Sequence, residues 1–219
     1  MSIIEEVRRK REKLADVLRE YAGIRRTVEE LYPDRAHFIY ELLQNAEDTG
    51  ATEAAFTLSE SSLTFEHNGR PFDVRDLFAI TDIGEGTKAE DKIGRFGVGF
   101  KAVFAYCETP HVWSPTFSFK ISDLVLPNRL DGRAGLGTRT RFEFPFNNPK
   151  KTASDASREI EAGLNEIAET TLLFLSHLKS IHWQISGTTS GCVAKRLHSE
   201  HHVEIEKEVS GRSCRHGCA

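Results

Sequence analysis

Residues 34–69 constrain the fold more than any other stretch. "DRAHFIYELLQNAEDTG" carries a helical pattern from about Asp34 to Thr49. Pro33 and Asp34 suit its start, and Gly50 is a natural stop. "ATEAAFTLSESSLTFEHNG" follows at once with the alternation of two short strands, near 53–59 and 62–67. A Ser-rich turn joins them, and Asn68-Gly69 closes the second. At about 100° per residue, Ile39, Leu42, Leu43 and Ala46 fall on one side of the helix. Glu41, Asn45 and Asp48 gather nearly opposite. The apolar side must lie on the sheet, so the polar side faces solvent or a cleft.

The remaining chain extends this plan. Residues 3–31 are charged and helical in pattern, and a short helix is expected at about Val74–Ile80. Residues 81–95 hold three glycines and mixed charges without periodicity, which predicts a mobile loop. "FGVGFKAVFAYC" opens on glycine and turns helical, and β runs follow at about 110–121 and at "TRTRFEFPF". A long amphipathic helix is expected over about 155–179, and "SIHWQISG" and "HHVEIEKEV" alternate like strands. The predicted class is α/β (an α+β sandwich), with a mixed, mostly antiparallel sheet and helices on one face. Three regions are expected: a helical extension at 1–31, a central domain at 32–180 and a strand-rich extension at 181–219.

Bulk properties narrow the function. With 219 residues the chain has length for a sizeable core, and a net charge of −4 does not predict a general nucleic-acid surface. The dense basic run Arg8–Arg11 is flanked by Glu5, Glu6, Glu12 and Glu20, the pattern of a solvated helix face. No apolar run nears the roughly 20 residues that span a bilayer. The charged N-terminus lacks a secretory core, so a cytoplasmic location is expected. Cys107, Cys192, Cys214 and Cys218 fit reduced thiols better than a disulfide framework. The tail "CRHGCA" offers thiolate and imidazole ligands, but its spacing matches no zinc pattern and favours a frayed end. His111, His177 and His182 sit in apolar surroundings and are read as core or surface residues.

The helix and the glycines carry the chemistry. Asn45 in mid-helix is a poor choice for an exposed face, and its oxygen suits Mg²⁺, which takes oxygen ligands and keeps several waters. A carboxylate one turn earlier, Glu41, suits a water-activating base. "IGRFGVGFKAVF" sets Gly94, Gly97 and Gly99 before a helix, where backbone N–H groups can approach phosphate oxygens. It is not a Walker A loop, because Phe100 follows Gly99 and Lys101 comes one place late. Nor is it a dinucleotide fingerprint, because the order is G-x-x-G-x-G. Tight packing is the plain alternative for the glycines, and a solvated face for the helix.

Taken together, "ELLQNAED", "HNGRPF", "GEGTK", "IGRFGVGF" and "GTRTRFEF" resemble, in this order, the motifs of the GHKL ATPases. The heat-shock-chaperone branch, with its sacsin-like and No-Vein-like modules, is the nearest. The resemblance covers about residues 35–145 and implies the Bergerat fold, with ATP and Mg²⁺ between helices and a nucleotide lid. It assigns Glu41 as the general base, Asn45 as the Mg²⁺ ligand and Asp48 as an acid lining the pocket. It assigns Gly94, Phe96, Gly97, Val98, Gly99 and Phe100 to the lid hinge and phosphate cradle, Thr87 and Lys88 to the preceding loop, and Thr138 to a strand near the base. Lys88 and Lys101 are candidate phosphate contacts, with Lys88 favoured.

One departure matters. Most members carry an Asp that receives the adenine amino group, where this chain reads His67-Asn68-Gly69-Arg70-Pro71. The letters D-x-G-x-G at Asp82–Gly86 run into the lid. Asn68, beside Gly69, is therefore the expected acceptor of that amino group. The implied function is a slow Mg²⁺-dependent ATPase module coupling lid closure to conformational change, working with protein partners or as a homodimer. The alternatives are a nucleotide-sensing or protein-interaction module without turnover, and a histidine-kinase-type phosphotransferase. The last is disfavoured, since no His precedes His37.

Overall fold

The computed structural model describes residues 2–21, 23, 26–27, 37–83, 99–167, 169–185, 189–199, 202–209 and 212–216. Its frame is one mixed ten-stranded sheet in the order β10-β9-β8-β7-β1-β2-β6-β3-β4-β5. The strands are β1 (Glu53–Leu58), β2 (Ser62–His67), β3 (His111–Trp113), β4 (Ser118–Ser122), β5 (Leu126–Arg129) and β6 (Thr140–Pro145). They continue with β7 (Ser180–Ile185), β8 (Thr189–Ser199), β9 (His202–Val209) and β10 (Arg212–His216). β1 and β7 are parallel, and the other pairs are antiparallel. The helices α1 (Ile3–Glu20), α2 (His37–Asp48), α3 (Val74–Ile80) and α4 (Ala153–Asn165) pack on one face.

The alternation seen in the sequence sets that face. Phe56, Phe65, Phe142 and Phe144 are buried, and their rings meet at 4.7–6.1 Å in a layer beneath the helices. The opposite face carries cross-strand ion pairs such as Arg141–Glu66, partners in the β2/β6 register. β7 to β10 prolong the same sheet beyond β1.

α2 ends as its sequence foretells. Gly50 has φ 71°, its N–H donates to the Glu47 carbonyl, and the Ala51 N–H donates to the Ala46 carbonyl. This is a Schellman stop, in which glycine takes the left-handed position at no steric cost. Asp73 caps α3 with a full capping box, and Arg70 grips Asp76 through both guanidinium nitrogens, at 2.6 and 2.9 Å.

Three expectations change. The helix predicted over 155–179 is broken into α4 and a 3-10 turn at Glu169–Phe174. Thr170 and Thr171 are poor helix formers, and Ile167 is drawn fully into the core. The carbonyls freed by the break accept from lysines of the sheet: Lys207 reaches Ile167, and Lys195 reaches Leu175 at 3.0 Å. The stretch after the glycines is a 3-10 helix, Gly99–Ala105, rather than an α-helix. The basic run of α1 is also less solvated than expected. Arg8 donates to Asn128, while Arg11 reaches the Phe78 carbonyl and pairs with Asp82 at 2.8 Å.

α2 is tied to the segment leading into β7 by Glu47, whose side chain is 13% exposed. Its carboxylate accepts from the backbone N–H groups of Ser176, His177 and Leu178 at 2.6–2.8 Å and bonds the His177 ring. Burial alone would raise this carboxyl, but the amides of Leu178, His177 and Ser176 and the His177 ring outweigh it and hold it below its ordinary value. A depressed carboxyl contributes stability that is complete above 4.5 and is lost as the pH falls through the lower folded value. Glu47→Gln should therefore lower unfolding stability by about 2 kcal/mol at pH 7. Chemical denaturation should show that difference shrinking below pH 4.5.

Candidate functional site

The polar row of α2 is the centre of the site. Asn45 is 3% exposed, Thr49 is 8% exposed and Glu41 is half-buried; they stand one turn apart along the helix. Asp48, predicted to share the row, lies on the exposed side of α2. Thr49 takes the inner position that the sequence reading gave to Asp48. A carboxylate, an amide and a hydroxyl thus line a helix that otherwise buries Phe38, Ile39, Leu42, Leu43 and Ala46.

Each end of the row meets a glycine. A Cβ on Gly99 would stand 2.0 Å from Glu41 Oε2, so the carboxylate lies directly on the backbone that opens the 3-10 helix. A Cβ on Gly69 would stand 2.0 Å from Thr49 Oγ1. The Arg70 N–H donates to the Thr49 carbonyl at 3.0 Å, which closes that contact. The helix is therefore seated on two backbone segments where a Cβ would force the facing side chain to move.

At the Gly69 contact sits His67, fully buried at the end of β2 and opposite Thr140 of β6. Its Nδ1 accepts from the Gly69 N–H at 3.2 Å. The proton of the neutral ring is consequently on Nε2, and Nε2 has no partner among the described residues. The same holds for Asn45 Nδ2. Burial, together with the charges of Arg70 and Arg139, pushes His67 down to about 4. Thr140 donates to Ser114 Oγ at 3.2 Å, and the Phe72 N–H donates to the same oxygen at 2.9 Å.

Other predicted site residues have different places. The Asn68 oxygen accepts from the Thr52 and Glu53 N–H groups at 2.8 and 3.0 Å, and its amide donates to Thr52 Oγ1. Asn68 fastens the end of β2 to the start of β1. Lys101 is fully buried and donates to the Ile80 and Leu124 carbonyls, each at 2.7 Å. Burial lowers it to about 7, with Asp82 opposing that shift. Phe100 joins Phe104, Phe142 and Phe144 in the core. Thr138 lies in an exposed turn, and Thr140 is the buried threonine of that motif. Thr87, Lys88, Gly94, Phe96, Gly97 and Val98 lie outside the described residues. His67, Thr49 and Thr140 were missed as site residues. A histidine ending an alternating apolar strand, and a threonine four places beyond Asn45, were the available signals.

A mixed, largely antiparallel sheet covered by helices on one face defines the class as a mixed α/β domain. Its family is shown by comparison. The Sacsin domain model matches residues 18–128, just over half of the chain, and the chain belongs to that family. It is 31% identical to Protein NO VEIN of Arabidopsis thaliana, over 70% of this chain and 7% of that protein. It is 32% identical to human sacsin, over 38% of this chain and 2% of that protein. The chain therefore spans a small fraction of the length of these relatives. Among solved structures it resembles one titled the N-terminal domain of a DNA repair protein. That match has a TM-score of 0.53 and 14% identity, and covers 75% of this chain and 53% of the other. At that identity the likeness concerns the fold alone. Among the described residues no helix is long and apolar enough to cross a membrane.

The buried ring makes stability depend on pH. Between 6.5 and about 4 the unfolded chain binds a proton that folded His67 refuses, so stability falls as the pH drops through that window. Moving from pH 7 to 5, the wild type should lose about 2 kcal/mol more than His67→Phe. Urea titrations at the two pH values measure the difference.

Proposed function

We propose that this chain is a nucleotide-binding module of GHKL (Bergerat) type that binds ATP and Mg²⁺ and hydrolyses ATP slowly. One observation carries the reading: α2 holds a carboxylate against the Gly99 backbone and, one turn on, buries an amide whose Nδ2 has no partner among the described residues. A helix that merely packed would bury an apolar residue at position 45, because an unpaired buried amide is costly. Membership of the sacsin domain family supports the same reading.

The donor set fits the expected groups. The side-chain oxygen of Asn45 is a hard, neutral ligand of the kind Mg²⁺ accepts beside waters and phosphate oxygens. Bound there, the ion would offset the negative charge of the triphosphate. Glu41 is the base. Its carboxylate takes a proton from the attacking water as the water oxygen bonds the γ-phosphorus and the bond to the β-phosphate oxygen breaks, leaving ADP and inorganic phosphate. Gly99 offers a backbone that phosphate oxygens can approach. Gly94, Phe96, Gly97 and Val98, with Thr87 and Lys88, are proposed to complete the phosphate side. Asp48 is assigned to the outer wall. Asn68 and Lys101 are assigned to the frame, on the bonds described above.

A second reading has a specific observation behind it. The residue at the end of β2 is a buried neutral histidine where most relatives by resemblance carry a carboxylate. A module that binds nucleotide and senses it without turnover would need the cleft but not the base.

Glu41→Gln separates the two readings. On the ATPase reading it keeps Mg²⁺-ATP affinity in calorimetry and lowers phosphate release at least about 100-fold. Unchanged release in the variant would remove Glu41 as base. Binding without release in the wild type would favour the sensing module. Gly99→Ala gives an independent check. Its Cβ collides with the end of a flexible side chain, so the melting temperature should move by only a few degrees while phosphate release falls with the displaced carboxylate.

A further inference from the structure

Five buried side-chain atoms lack a hydrogen-bond partner among the described residues: Arg11 Nε, Asn45 Nδ2, His67 Nε2, Arg141 Nε and Trp183 Nε1. The two arginines use other nitrogens, on Asp82 and Glu66. Trp183 lies in the sheet extension, under the Lys207 ammonium. Asn45 and His67 stand apart, because Asn45 is on α2 and His67 ends the layer of sheet that meets Thr49 of the same helix.

The end of that layer around His67 is chemically specific. Three neighbouring donor groups already have partners. The Thr49 hydroxyl donates to the Ala46 carbonyl at 2.7 Å, the Thr140 hydroxyl donates to Ser114, and the Asn68 amide donates to Thr52. The Asn68 oxygen, the acceptor expected from the sequence, is filled by two backbone N–H groups. The Gly69 N–H fixes the His67 tautomer, so the buried atom left without a partner at this end, among the described residues, is a donor, Nε2–H. At Nε2 itself the matching group is an acceptor, since an amino group there would set two N–H groups against each other.

We propose that His67 is a specificity-determining residue of the nucleotide site, donating Nε2–H to an acceptor on the bound base, so that the 6-amino group of adenine is not what this end of the site reads. The inference rests on the ATP-site reading above and reverses the polarity that the resemblance implies. It places the base at the Thr49–Gly69 end of α2 and leaves the Glu41–Gly99 end to the phosphates.

Calorimetry on the whole chain with Mg²⁺ tests it, using ATP, purine riboside triphosphate, which lacks the 6-amino group, and inorganic tripolyphosphate. The wild type should bind ATP and the des-amino analogue within about twofold of each other, and His67→Phe should bind ATP about tenfold more weakly with tripolyphosphate unchanged. A des-amino analogue about tenfold weaker in the wild type overturns the proposal. So does a His67→Phe protein that binds ATP as tightly as the wild type, or one that loses ATP and tripolyphosphate equally. If the variant fails to fold, the two nucleotides on the wild type decide alone. Failure of the wild type to bind any of the three ligands defeats the ATP-site reading itself, and this inference with it.

Discussion

The structure depends on how closely α2 approaches two pieces of backbone. At one end the Glu41 carboxylate lies where a Gly99 side chain would be, and at the other Thr49 lies where a Gly69 side chain would be. These contacts fix the height and rotation of the helix over the sheet. The Schellman stop at Gly50 and the Glu47 carboxylate, bound to three backbone amides, prevent it from sliding. Asn45 is thereby held in the interior with a donor, Nδ2, that has no partner among the described residues. An orphaned buried donor costs about 1–3 kcal/mol, and the group that would offset it is an acceptor such as a phosphate oxygen.

The segment His67–Asp73 shows how framing and site are combined in few residues. Asn68 fastens β2 to β1, Gly69 admits Thr49, Arg70 clamps Asp76, and Asp73 caps α3. Only His67 has a ring nitrogen left over after these bonds. A buried, uncharged imidazole at this point also lowers the energetic tolerance of the fold for acid, through burial and the nearby Arg70 and Arg139 charges.

Much of this was legible in the sequence because it rests on period and on glycine. The 3.6-residue pattern of α2, the alternation of β1 and β2, the stop at Gly50 and the short helix at 74–80 all follow from local chemistry. What escaped depends on the tertiary context. The break in the 155–179 helix requires Lys195 and Lys207, from strands some 20–40 residues later, to donate to the freed carbonyls. Lys101 reads as a candidate phosphate contact beside a glycine cluster, yet it is buried, and the Ile80 and Leu124 carbonyls converge on it. Asp48 and Thr49 are adjacent in sequence, and one residue of rotation decides which faces inward. The role of Asn68 could not be separated from that of His67 until the register of β1 and β2 showed which side chain the backbone consumes.

The most direct test is a crystal structure of the chain with Mg²⁺ and a non-hydrolysable ATP analogue. The account predicts the base beside Thr49, Gly69 and His67, Mg²⁺ on the Asn45 oxygen, and the γ-phosphate at the Glu41–Gly99 end. Nucleotide bound elsewhere, or bound with Asn45 and His67 still unpartnered, would contradict it.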